Sequence, residues 1–146
     1  MPQSMITFPR RTADLPLAAN SCGRARRHVE RWLDGVQVAR ESRQNVVLVV
    51  SELVANAVTH AVSAPTLSLG LDGDAVVVGV DDDDSTPPRR RRGGPEGGYG
   101  LGIVAQLAEH WGWTPTGRGK RVWARISLDE HRRRLGPPSR RPATDH

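Results

Sequence analysis

The amino-acid sequence predicts an α+β fold in two layers, with helices on one face of a mixed, mostly antiparallel sheet. Three observations carry this. Two stretches of helical apolar spacing come first, strands of period two follow as a meander, and a single aperiodic, glycine-rich segment with a short helix after it interrupts them. At 146 residues, 37% of them hydrophobic, the chain supports one core and not two.

Ile6 to Pro9 reads as a short edge strand, because a proline has no N–H for a ladder. From Leu17 to Leu33, Ala18, Cys22, Ala25, Val29, Trp32 and Leu33 recur at helical spacing between arginines, and Gly35 supplies the stop. A second helix is expected from Ser42 to Ala61, with Val46, Val49, Val50, Leu53, Ala57 and Ala61 as its buried stripe. Its valines are poor helix formers, so packing must hold it. Leu67, Leu69 and Leu71 then alternate with small or polar residues, Asp72-Gly73 makes a hairpin turn, and Val76, Val78 and Val80 resume the alternation. Residues 81–98 (DDDDSTPPRRRRGGPEGG) have no period, and an irregular stretch of that length inside a domain is usually functional or disordered. A short helix over Leu101–His110 and a final hairpin follow, with Trp111, Trp113 and Thr116 before a Gly117–Gly119 turn and Val122–Leu128 after it.

The domain is expected over residues 5–128, between a flexible N-terminus (1–4) and a basic, proline-containing flexible tail (129–146). A single cysteine, Cys22, excludes an internal disulfide. No apolar stretch approaches the ~20 residues of a membrane helix. The start MPQSMITFPRR lacks the apolar middle of a signal peptide, so a cytoplasmic location without membrane contact is expected. The net charge of +5 raises nucleic acid as a partner, but much of it lies at Arg89 to Arg92 and beyond His131, beside Gly and Pro. Such runs more often solubilise or steer than read a sequence. One Tyr and one Phe, against four Trp, also give little of the aromatic and basic interleaving of single-strand binders, and nucleic-acid binding is not expected.

Three segments carry chemistry. Glu52, Asn56 and His60 stand at i, i+4 and i+8 along one strip beside the apolar stripe, where a carboxylate and an amide would face a cleft. Taken alone the strip reads first as solvated helix positions, and a cation at His60 also suits the helix dipole. The run Asp81 to Asp84 begins where a buried strand leaves the sheet, and four adjacent carboxylates raise each other's proton affinity at a cost in stability. An aspartate there accepts a hydrogen bond from the exocyclic amine of adenine, whereas the guanine carbonyl would repel it. The plain alternative is an exposed acidic turn. Finally, Gly98, Gly100 and Gly102 alternate just before a helix, where close backbone approach and helix-start amides suit an anion. No strand leads directly into them and no GKS or GKT follows, so neither the dinucleotide fingerprint nor the P-loop applies.

In this order and spacing, ELVANAVTH (Glu52–His60), VDDDDSTPP (Val80–Pro88) and GGYGLGIV (Gly97–Val104) resemble the N box and the two glycine boxes of the GHKL, or Bergerat-fold, ATPases. The short form with a basic, proline-rich lid is similar to the anti-sigma-factor serine/threonine kinase branch. The resemblance implies ATP and magnesium as cofactors, with Glu52 as general base and Asn56 as magnesium ligand. It implies Asp82 as the adenine-binding aspartate and residues 84–97 as the ATP lid. Gly98, Gly100 and Gly102, with Tyr99 and Leu101 between them, would wrap the triphosphate, and His60 would complete the nucleotide site. The implied partners are a sigma factor, an anti-anti-sigma (STAS) protein that accepts the phosphate on serine, or both, and a homodimer is allowed. An alternative is a nucleotide-dependent interaction module without phosphate transfer. Two positions depart from the family pattern. Asp84 stands where Gly or Ser is usual, and Arg121 stands where a Thr or Ser helps hold the base, although Arg89 to Arg92 would offset the added acidity.

Overall fold

The computed structural model describes residues 7–15, 20–60, 62–88, 100–129 and 143–144. The expected N-terminal segment 1–4, the lid from residue 89 onward and nearly all of the tail lie outside the described residues.

Strand β1 (Thr7–Asp14) is twice as long as the expected Ile6–Pro9 piece, because RRTAD continues the ladder to β2 (Thr66–Asp72) after a register shift between Thr7 and Arg10. Pro9 falls inside that shift, where the absent N–H breaks no regular bond. Helix α1 (Ser21–Asp34) buries Ala25, Val29, Trp32 and Leu33, and the Gly35 N–H closes it onto the carbonyls of Trp32 and Leu33. The expected start at Leu17 lies outside the described residues, and Asn20 at the N-cap makes no side-chain capping bond. Helix α2 (Arg40–His60) buries Val46, Val49, Val50, Leu53, Val54 and Ala57 and packs on α1, on α3 (Gly100–Leu107), and on strands β3 (Ala75–Asp82) and β5 (Lys120–Ser127). With neighbours on every apolar side, packing overrides the weak helix propensity of its valines.

The β2–β3 turn sits one residue later than the sequence suggests. Asp72 is the last rung, paired with Ala75, and Gly73-Asp74 form the two-residue loop, with Gly73 at φ 60 as the first loop residue. That position belongs to glycine in a tight hairpin. With β4 (His110–Pro115) and β6 (Ala143–Thr144) the sheet order is β1-β2-β3-β5-β4-β6, antiparallel throughout except for the parallel β4–β6 pair. The expected two-layer α+β architecture with a mixed, mostly antiparallel sheet is therefore what the chain forms. Along β3, Val76, Val78 and Val80 point into the helix layer, and across the ladder Val122, Ala124 and Ile126 of β5 meet them.

Candidate functional site

The alternation that buries the valines also sets the site. Two residues beyond Val80, the period places Asp82 on the helix-facing side, and two residues before Val122 it places Lys120 there, directly opposite in the ladder. Both side chains are sealed from water, at 1% and 3% exposure for Asp82 and Lys120. The Lys120 ammonium donates to Oδ1 of Asp82 at 3.1 Å and to the Asp84 carbonyl at 2.8 Å, and the Asp84 N–H donates to the same Oδ1 at 2.9 Å. The second carboxylate oxygen, Oδ2, is buried with no hydrogen-bond partner among the described residues. Burial dominates the ionisation of this group and lifts its pKa above the ordinary carboxylate value, while the Asp84 N–H and the Lys120 ammonium pull it back. Such a pair is expensive to desolvate and gives weak grounds for a purely stabilising role.

Sequence reasoning assigned the departure at this strand to Arg121. The structure corrects this: Arg121 lies one residue further along β5, on the opposite face of the sheet, and forks onto Asp81 with contacts of 2.6 and 2.9 Å. Lys120 is the residue beside Asp82. Counting the Val122, Ala124, Ile126 period back by one step would have found it. Gly119, just before it, is needed for close approach, since a Cβ there would lie 2.2 Å from the Asp82 carbonyl oxygen and 2.6 Å from the Asp83 carbonyl carbon.

The four aspartates are not left to repel one another unpartnered, although the Asp84 charge does add to the rise in the Asp82 pKa. Each has its own partner: Arg121 for Asp81, Lys120 for Asp82, and for Asp83 the exit of α2, where the Val62 and Ser63 N–H groups and the Ser63 hydroxyl donate to its carboxylate at 2.6–2.8 Å. Those donors hold Asp83 below the ordinary carboxylate range. The Asp84 carboxylate accepts from the Thr86 N–H at 3.0 Å in a local turn. By tying the end of α2 to the end of β3, Asp83 fixes the helix that carries Glu52 and Asn56 relative to Asp82.

On α2, Glu52 and Asn56 are both half-buried. Glu52 lines a groove between α1 and α2 together with Arg26, Glu30, Arg43, Val47 and Leu48. His60 is the last residue of α2, and its side chain lies outside what is described. Helix α3 starts at Gly100, so Gly100, Leu101 and Gly102 form its first turn, with N–H groups that have no partner within the helix. The Leu101 side chain is buried in the core, which leaves only its backbone for a ligand. Gly98 and Tyr99 lie outside the described residues. Among the described residues, no group of three or more His, Cys, Asp or Glu is arranged to hold a metal, and no helix is long and apolar enough to cross a membrane.

Comparison with known proteins agrees with this fold. The family described as "Histidine kinase-like ATPase domain" matches residues 15–126. Among solved structures, the crystal structure of the RsbU and RsbW domains of Rv1364c from Mycobacterium tuberculosis is similar with a TM-score of 0.65 at 20% identity, over 94% of this chain and 35% of that one. At that identity the likeness is one of fold, and the chain spans about a third of that relative. No curated protein matches.

Proposed function

Because this chain belongs to the histidine kinase-like ATPase domain family, we propose that it is a cytoplasmic ATP-binding regulator of the anti-sigma-factor serine kinase kind. The observation that carries the reading is Oδ2 of Asp82, a buried acceptor without a donor at the end of β3. A buried carboxylate oxygen left unpaired is costly, and the exocyclic amine of adenine is the donor that would satisfy it. The first turn of α3 would receive the phosphates on the N–H groups that have no partner within the helix, including those of Gly100, Leu101 and Gly102. Gly98, Tyr99 and His60 would complete the nucleotide site.

Asn56 offers one hard amide oxygen, which fits a magnesium ion held otherwise by the phosphates, and that ion would supply charge neutralisation across them. Glu52 stands one helical turn before Asn56 and opens onto the groove between α1 and α2, which gives an external serine a route to it. In the transfer, Glu52 takes the proton of the serine hydroxyl as the bond from its oxygen to the γ-phosphorus forms. The bond from the γ-phosphorus to the β,γ-bridging oxygen breaks and ADP leaves. The acceptor we propose is a serine of a STAS-domain anti-anti-sigma protein, and the other partner is a sigma factor.

A second reading, a nucleotide-dependent interaction module without transfer, is favoured by Asp84, whose carboxylate adds negative charge at the start of the lid. One experiment separates the two: nucleotide titration and single-turnover transfer from γ-labelled ATP to a STAS partner, for wild type and Glu52→Ala. A kinase keeps ATP affinity within a few fold in Glu52→Ala and loses roughly 10² in transfer rate. Wild type that binds ATP and transfers nothing leaves the interaction module. Wild type that does not bind ATP sinks both.

A further inference from the structure

Asp82 does not stand alone at the end of β3. The Lys120 ammonium lies beside it on the same sheet face, 3.1 Å from Oδ1, and spends a second hydrogen on the Asp84 carbonyl. An ammonium carries three donors, and the described residues take two of them, beside a carboxylate whose other oxygen has no donor among those residues. The ends of adjacent strands thus present a donor and an acceptor side by side. The Watson–Crick edge of adenine presents the complement, an N6 amine that donates beside an N1 that accepts.

We propose that Lys120 is a base-specificity residue, donating to adenine N1 while Oδ2 of Asp82 accepts from the N6 amine. The inference rests on the ATP-binding reading above. A guanine seated in the same frame sets its O6 against the carboxylate and its N1–H against the ammonium, so both contacts turn repulsive and selectivity comes from two groups.

The test uses the full chain with Mg-ATP and with Mg-1-deaza-ATP, which keeps the amine and the triphosphate but has C–H in place of N1. Calorimetric titration of wild type is expected to give about tenfold to a hundredfold weaker binding of the deaza compound, the scale of one charge-assisted hydrogen bond. Lys120→Met is expected to bind both nucleotides equally. A lysine that only steadies Asp82 would change overall affinity and leave the ratio as in wild type, so a folded Lys120→Met that still discriminates overturns the proposal. So does wild type that binds the two nucleotides alike, which leaves the ATP reading intact. Wild type that binds neither overturns the ATP reading and this inference with it. Should Lys120→Met fail to fold, the Asp82→Asn/Lys120→Met double variant removes the lone buried charge, and its ratio is read instead.

Discussion

Two neighbouring rungs of the β3–β5 ladder carry the same chemical pair, an aspartate opposite a cation, in opposite surroundings. Asp81 and Arg121 lie on the outer face of the sheet, with side chains 34% and 32% exposed and a fork of two short contacts. Asp82 and Lys120 lie one residue away on the inner face, sealed, with one contact between them and an oxygen unpartnered. The outer pair is the better ion pair and the less consequential one. Its charges keep much of their hydration, and the bonds to Asp81 raise the pKa of Arg121. The inner pair has given up water for incomplete compensation, the pattern of a group kept for something other than stability.

Removing one partner from each rung should therefore have unequal effects. Lys120→Met leaves a buried carboxylate alone and is expected to cost about 3–5 kcal/mol in chemical denaturation. A cost no larger than that of Arg121→Ala would erase the contrast between the rungs. Gly119→Ala tests the inner rung through the backbone, because the new Cβ collides with the Asp82 and Asp83 main chain, which cannot swing aside like a side chain. A loss of about 2–3 kcal/mol is expected, with weakened nucleotide binding because the turn moves away from the base site. Asp83→Asn should lower the melting temperature at neutral pH. The folded-state pKa of Asp83 is depressed, so its contribution is present above the unfolded value and fades as pH falls through the folded one. Wild type and variant should then converge in acid, and a gap that persists at low pH would assign the effect to something other than ionisation. Arg121→Ala should cost under ~1 kcal/mol, shrinking as salt rises from 0.05 to 0.5 M in roughly the range where surface pairs are screened.

The contrast between the rungs also separates what the sequence makes legible from what it hides. Valines and leucines in strict alternation announce β2 and β3, and the glycine-punctuated triple of motifs announces the family, because backbone period and motif spacing are local properties. The burial of Asp82 follows from the same period carried two residues on. What stays hidden depends on a partner far along the chain. Lys120 is 38 residues from Asp82, and although the β5 period turns it inward, nothing near it signals which residue it meets there. The separate uses of the four aspartates are hidden for the same reason, since Val62, Ser63, Lys120 and Arg121 reach them only in the fold. Conversely, Leu101 reads as a ligand contact because it lies between two glycines of the motif, yet its side chain completes the core. The length of β1 was missed because Pro9 looks like a terminus, whereas the ladder absorbs it as a local irregularity and continues.

That irregularity bears on how copies of the chain behave towards one another. β1 forms one margin of the sheet, and the outward N–H and C=O groups of such a margin are a template on which a second chain can add a strand. Between Thr7 and Arg10 the register slips and Pro9 contributes no N–H, so an incoming strand meets two short pieces instead of one continuous row. The feature that makes β1 hard to recognise in the sequence thus blunts the sheet against fibrous self-assembly.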